Sequence, residues 1–257
     1  PSADSGRGAN APYWIFGIHA ALTATSNPAR PCHRIVLAAS ASPDLETAVG
    51  KARKTVSGRP EIERLERIEI EGLLPPGSVH QGLAILAGPL AEIGIEDVIN
   101  DSAEKGEASI IILDQATDPR NIGAVMRSAA AFGAAALLLP DRHAPEVTGV
   151  LAKAASGALE RLPLVRITNV ARALGDLKDA GFWCIGLDGD ADTSLAAAAI
   201  AGRVALVIGS EGRGLRRLTA EKCDALAAIP MRAEAGSLNL AAAAAIALYE
   251  LRREITP

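Results

Sequence analysis

Two kinds of hydrophobic pattern alternate along the second half of this chain. Short, nearly continuous apolar runs recur as "SIIILD" (Ser109 to Asp114), "AALLLP", "LPLVRI", "WCIGLD", "VALVIG" and "ALAAIP", and segments with helical periodicity separate them. Runs without polar alternation predict strands buried on both faces, and their regular exchange with helices predicts an α/β unit built on a parallel sheet. The first half is shorter in rhythm. Helices are expected over "FGIHAALTATSN" and "LETAVGKARKTV", strands over "RIVLAA" and "GLAILAG", and the pattern continues through "IERLERIEIE". This predicts a small α/β domain of about ninety residues, within the usual domain range. Between the halves, "EDVINDSAEKGEAS" is polar, charged and broken by Gly106. The expected organisation is therefore a flexible tail over 1–10, a small domain over 11–95, a linker over 96–108 and a larger domain over 109–257.

Composition narrows the function classes. A chain of 257 residues can bury a sizeable core. No apolar run approaches a membrane span and no charged-then-apolar leader opens the chain, so a soluble, cytoplasmic protein is expected. Three scattered cysteines, Cys32, Cys184 and Cys223, lack metal-ligand spacing, and no metal is expected. Residues 1–107 carry 10 Lys and Arg against 14 Asp and Glu, and residues 108–257 carry 16 against 16. Any RNA contact must then use local patches such as Lys51, Arg53, Lys54 and Arg59, or Arg213, Arg216 and Arg217, although solvated faces are the default reading of both.

Ligands of open α/β sheets bind beyond the carboxyl ends of strands, so the residues just past each apolar run are the place to look for chemistry. After the first run comes "TDPRNIGAVMRSAAAFGA", where Asn121 is a plausible N-cap and Arg127 stands alone on a small, apolar helix. A capped core helix with a snorkelling arginine, or an Asp118–Arg127 pair, explains this equally well. After the fifth run comes "GSEGRGL", a glycine-rich turn whose G-x-x-G-x-G spacing fits neither a dinucleotide fingerprint nor a P-loop. Glu211 within it would repel phosphate and suits a hydroxyl or a cation. After the sixth run, Ser237-Leu238-Asn239 opens a helix starting with five alanines beyond Leu240, which requires a closely packed neighbour. Ser237 also reads as an ordinary N-cap, and Lys153 in "LAKAASGALERLPL" as a solvated side chain.

Together, "DPRNIGAVMRSA", "LVIGSEGRGL" and "IPM" followed by "SLNLAAAAAIALYE" resemble, in order and spacing, the three motifs of the SpoU/TrmH family of RNA ribose 2′-O-methyltransferases in the SPOUT superfamily. In the first half, "GIHAALTA" and "HQGLAI", with "KAASGALE" further on, are similar to the bacterial members that methylate a guanosine of 23S ribosomal RNA. The resemblance implies a C-terminal α/β domain with a deep trefoil knot and a mainly parallel sheet. It also implies an N-terminal α/β domain resembling ribosomal protein L30e, S-adenosylmethionine as cofactor, and a homodimer with sites that draw on both subunits. It places Arg127, Asn121, Glu211, Ser237 and Asn239 in the catalytic centre, and Gly209, Ile229, Leu238, Leu187 and Met231 around the cofactor. A transfer-RNA 2′-O-methyltransferase and a noncatalytic RNA-binding or ribosome-assembly protein are the alternatives; glycine spacing disfavours a dinucleotide oxidoreductase.

Overall fold

The computed structural model describes residues 11–142, 144–198, 201–232 and 236–253; the expected tail at 1–10 lies outside them. The described residues form two compact units, one drawn from 11–91 and 146–161, the other from 92–145 and 162–253.

In the first unit, strands β1 (Tyr13–Phe16), β2 (Cys32–Ala38), β3 (Ile62–Leu65) and β4 (Leu83–Ala87) form a sheet in the order β1-β4-β2-β3. Only the β2–β3 pair is parallel. Helix α1 (Ile18–Ser26) begins later than the hydrophobic pattern predicts, because Tyr13–Phe16 pair with β4 instead of joining the helix. Helix α2 (Pro43–Lys54) starts at Pro43 with Ser42 accepting from the Leu45 N–H at 3.3 Å, and carries acids in its first turn and bases in its last. Each feature matches the unsatisfied donors and partial charges of helix ends. Helix α3 (Arg67–Leu73) buries Ile70 against the sheet.

The second unit is an all-parallel sheet of β5 (Ala108–Leu113), β6 (Ala136–Pro140), β7 (Leu164–Ile167), β8 (Trp183–Leu187), β9 (Arg203–Ile208) and β10 (Ala225–Ala227). Its order is β10-β8-β9-β5-β6-β7. Every residue of β5 is buried, as a central strand covered on both faces requires. Residues 96–108 do not form a linker: helix α4 (Ile95–Ala103) packs Val98 into the sheet's core, and Ala108 already belongs to β5. Asp97 closes that helix's start by accepting from the Gly94 N–H at 2.9 Å, so the acid that made the stretch look loop-like is a cap. Helix α5 (Pro119–Ala131) leads from β5 to β6.

Residues 146–161 belong to the first unit, although the sequence places them inside the larger domain. Here the capped helix α6 (Gly149–Ala155) packs on β1, so closely that a Cβ on Gly149 would strike the Trp14 carbonyl and the Phe16 ring. Just beyond the helix, a Cβ on Gly157 would overlap Thr23. At the segment's end Glu160 meets Arg30 in a buried ion pair at 2.7 Å, their side chains 3% and 1% exposed.

Back in the second unit, helix α7 (Val170–Asp179) turns Val170, Ala173, Leu174 and Leu177 into the core of the parallel sheet, and the short α8 (Arg217–Lys222) precedes β10. The last helix, α9 (Leu240–Arg252), packs against α5, and its alanines allow the approach, with Ala244 and Ala247 fully buried. No helix among the described residues is long and apolar enough to cross a membrane.

Candidate active site

From β5 the chain runs outward to β6 and β7 on one side, whereas from β9 it continues to β10 on the other. The β5–β9 boundary is thus the topological switch point, where the loops after neighbouring strands diverge and leave a crevice. The residues past these two strands are the Asp114–Asp118 stretch and the glycine-rich turn from Gly209.

Three polar side chains from separate elements converge there. Glu211 Oε1 accepts from Asn121 Nδ2 at 2.9 Å, from Asn239 Nδ2 at 2.8 Å and from the Leu240 N–H at 3.1 Å. Asn239 Nδ2 also donates to Asn121 Oδ1 at 3.1 Å. One carboxylate oxygen therefore ties the first turn of α5, the turn after β9 and the start of α9 together. Among the described residues Oε2 of Glu211 has no partner. Hydrogen bonds to a charged acceptor are the stronger kind, which suits a network exposed to water.

The helix caps differ from those expected. Asp118, not Asn121, caps α5, accepting from the Arg120 N–H at 2.8 Å with Pro119 at the first helical position. Asn239, not Ser237, caps α9, its Oδ1 accepting from the N–H groups of Ala241 at 2.9 Å and Ala242 at 3.4 Å. This frees Asn121 for Glu211 and leaves Ser237 exposed. Arg127 is exposed and pairs with no described residue, Asp118 included. Six residues of helix separate it from Asn121, which puts the two about 120° apart around α5. The network and Arg127 therefore leave the helix on different sides.

The residues expected around a cofactor sit along one edge of the sheet. Leu187 ends β8, Gly209 comes directly after β9 and Ile229 lies two residues beyond β10, and these three strands are neighbours. All three residues are half-buried. Gly209 is packed so tightly that a Cβ there would overlap the main chain of Gly214 and Leu215. Met231 is 40% exposed and Leu238 half-buried; of the loop "RAEAGS" between Met231 and Ser237, residues 233–235 lie outside the described residues.

Two groups carry more than the motifs revealed. Asp114, directly after β5, is fully buried, and Arg216 holds it through Nε at 2.8 Å, Nη2 at 2.6 Å and the main-chain N–H at 3.2 Å. The signal was the acid ending the apolar run "SIIILD". In the first unit, Arg59 donates to the carbonyls of Ala24, Thr25, Asn27 and Arg30. It caps the end of α1, so it is not free for RNA. Arg53 is likewise engaged by the Pro60 carbonyl and Glu61, and Arg217 by Glu221, whereas Lys51 and Lys54 stay exposed.

The model of the SpoU rRNA Methylase family matches residues 108–249. The 23S rRNA (guanosine-2'-O-)-methyltransferase RlmB of Xylella fastidiosa is 38% identical over 247 residues, 95% of this chain and 97% of that protein. Among solved structures, the putative RNA methyltransferase of the TrmH family from Porphyromonas gingivalis superposes with a TM-score of 0.70 at 25% identity, over 95% of this chain and 90% of its own. The SpoU methyltransferase AviRb from Streptomyces viridochromogenes, in complex with AdoMet, does so with a TM-score of 0.75 at 22% identity, over 95% and 90%. With the family model spanning the whole parallel sheet and all three loops of the crevice, the chain belongs to the SpoU rRNA methylase family.

Proposed function

We propose that the protein methylates the 2′-hydroxyl of a ribose in RNA with S-adenosylmethionine, and that its substrate is a guanosine of 23S ribosomal RNA in the cytoplasm. The observation that carries the reading is the convergence of Asn121 and Asn239 on one carboxylate oxygen of Glu211 at the switch point. The near full-length similarity to RlmB of Xylella fastidiosa supports ribosomal RNA methylation over the transfer-RNA and noncatalytic alternatives.

The residues fit the cofactor by their chemistry. Leu187, Gly209 and Ile229 offer main-chain groups and aliphatic walls at adjoining strand ends, which suits a flat adenine, with Met231 and Leu238 completing the pocket. S-adenosylmethionine, when bound, supplies an electrophilic methyl group. The protein's own work is positioning. The free Oε2 of Glu211 accepts a hydrogen bond from a ribose hydroxyl, while the two asparagines fix that carboxylate. Ser237 adds a hydroxyl near Asn239 in the chain. Arg127 binds the adjoining phosphate and stabilises the negative charge that develops on the 2′-oxygen as its proton passes to solvent water; a guanidinium is a donor and not a base. Lys51 and Lys54 serve as phosphate contacts on the first unit, which acts as an L30e-like RNA-binding domain.

The close packing at Gly209 and the joining of the 209–216 turn to the start of α9 support a trefoil knot in the second unit. The separation of Arg127 from the network around α5 supports a homodimer in which Arg127 serves the partner's site. The decisive experiment maps 2′-O-methylation in cells lacking the protein and assays the purified chain on 23S transcripts. Loss of one guanosine mark, restored by wild type but not by Arg127→Ala, is expected; retention of every mark refutes the reading. Mixing Arg127→Ala with Glu211→Ala chains should restore activity if the sites are shared. Two sites confined to single chains would stay inactive.

A further inference from the structure

Two carboxylates fasten the turn from Gly209 to Arg216, and only one of them, Glu211, belongs to the asparagine network at the switch point. The other is Asp114. Its side chain is wholly buried, a position that costs an ionised carboxylate several kcal/mol unless it is fully paired. A single residue does the pairing: Arg216 gives Asp114 Oδ1 its Nε and Nη2 and gives Oδ2 its main-chain N–H. The Asp114 N–H in turn donates at 2.8 Å to the carbonyl of Ile208, the last residue of β9. Asp114 thus grips the turn where it leaves the sheet and where it enters α8. Between these points the turn closes on itself, Gly214 donating its N–H to the Ser210 carbonyl at 3.0 Å.

We infer that Asp114 and Arg216 form a latch that holds the 209–216 turn in its cofactor-receiving conformation before the cofactor arrives. The latch matters for binding only on the reading that Gly209 lines the cofactor pocket. Both are positioning residues. A turn that is ordered in advance binds at its full intrinsic affinity, whereas a turn that populates the competent form only part of the time binds more weakly in proportion. Once the cofactor is bound, the turn is in place in either case. Breaking the latch therefore weakens binding and spares the rate at saturation. Half of the Arg216 side chain faces solvent, so in Asp114→Asn water replaces its lost partner. Arg216→Ala leaves the buried Asp114 with the main-chain N–H alone, and its binding is therefore read only at unchanged circular dichroism.

The test uses the full chain and titrates S-adenosylmethionine by calorimetry into wild type, Asp114→Asn, Arg216→Ala and Arg216→Lys, with steady-state assays in parallel. Expected is a rise in Kd and in KM for S-adenosylmethionine of about tenfold for Asp114→Asn and Arg216→Ala, equivalent to about 1.4 kcal/mol. The maximal rate should stay within about threefold, and Arg216→Lys should fall between wild type and Arg216→Ala. Wild-type affinity in Arg216→Ala, with its circular dichroism unchanged, overturns the latch even if Asp114→Asn fails to fold. A loss confined to the maximal rate overturns it as well. If wild type itself does not bind S-adenosylmethionine, the cofactor reading fails and the latch loses its role with it.

Discussion

Substituting Glu160 by Gln tests what fastens residues 146–161 to the first unit. Both oxygens of Glu160 act as acceptors: Oε1 from Arg30 Nη2 at 2.7 Å and Nε at 3.1 Å, Oε2 from Asn27 Nδ2 at 2.8 Å and Arg30 Nε at 3.1 Å. A glutamine offers one acceptor and turns an NH2 group toward donors. It also leaves the Arg30 charge, 1% exposed, with neutral acceptors alone: that amide oxygen, and the Tyr13 hydroxyl and the Gly88 carbonyl, each of the latter two at 3.0 Å. The Coulomb attraction lost, at about 4 Å between charge centres and an effective dielectric constant near 20, is about 4 kcal/mol. Measured losses on removing one member of a buried pair are about 3–5 kcal/mol, in agreement. For a unit of roughly a hundred residues that corresponds to a fall in Tm of more than about 10 °C. Thermal unfolding followed by circular dichroism gives the magnitude, and hydrogen exchange resolved by peptide shows whether α1, β4 and residues 158–161 open together. The double variant Arg30→Met with Glu160→Leu removes both charges, so it should melt above Glu160→Gln, because no unpaired charge stays buried. A loss below about 1 kcal/mol in Glu160→Gln, or a double variant less stable than the single, refutes the reasoning.

Three further expectations rest on single groups. Glu211→Ala removes the shared acceptor of Asn121, Asn239 and Leu240, and a misplacement of the order of 1 Å should lower turnover about 100-fold at unchanged far-ultraviolet dichroism; near-normal single-turnover rates would contradict it. Burial, reinforced by Arg67 and Lys153 against the opposing Glu71, holds His80 below its ordinary 6.5, and its Nδ1 accepts from the Gly82 N–H at 3.2 Å. The neutral ring therefore contributes stability that is complete above about pH 6.5 and is lost as the pH falls from there toward the lowered value. Urea midpoints between about pH 7.5 and 5.5 should drop more steeply in wild type than in His80→Asn, and equal slopes would rule the effect out. Burial pushes the Cys184 thiol up to about 12, so iodoacetamide at about pH 8 should leave it unmodified in the native protein and label it after denaturation; rapid native labelling would exclude the buried setting.

The elements most legible in the sequence were those whose environment is uniform. All six apolar runs of the second half became strands, since a strand covered on both faces needs no polar alternation and its sequence shows it. The four-residue strands β1 and β3 were hidden, the first because its apolar residues merge with α1, the second because "IERL" is half charged. Helix α4 was hidden for the opposite reason, its acids serving as caps and solvent face around one buried valine. Glu211, Asn121 and Asn239 were legible as a set through their motifs, and the helix caps were misread because several residues able to cap stood near each start.

Local pattern and motif order thus located by themselves the six buried strands of the second half and singled out Asn121, Glu211 and Asn239 as candidates. They could do so because propensity, burial periodicity and motif spacing are properties of short stretches. The tertiary structure alone decided the strand order that creates the crevice between β5 and β9, the return of residues 146–161 to the first unit, and the pairing of Asp114 with Arg216 across 102 positions. Those outcomes depend on which buried charge finds which partner and which backbone can approach a glycine, and such contacts exist only once distant segments have been packed together.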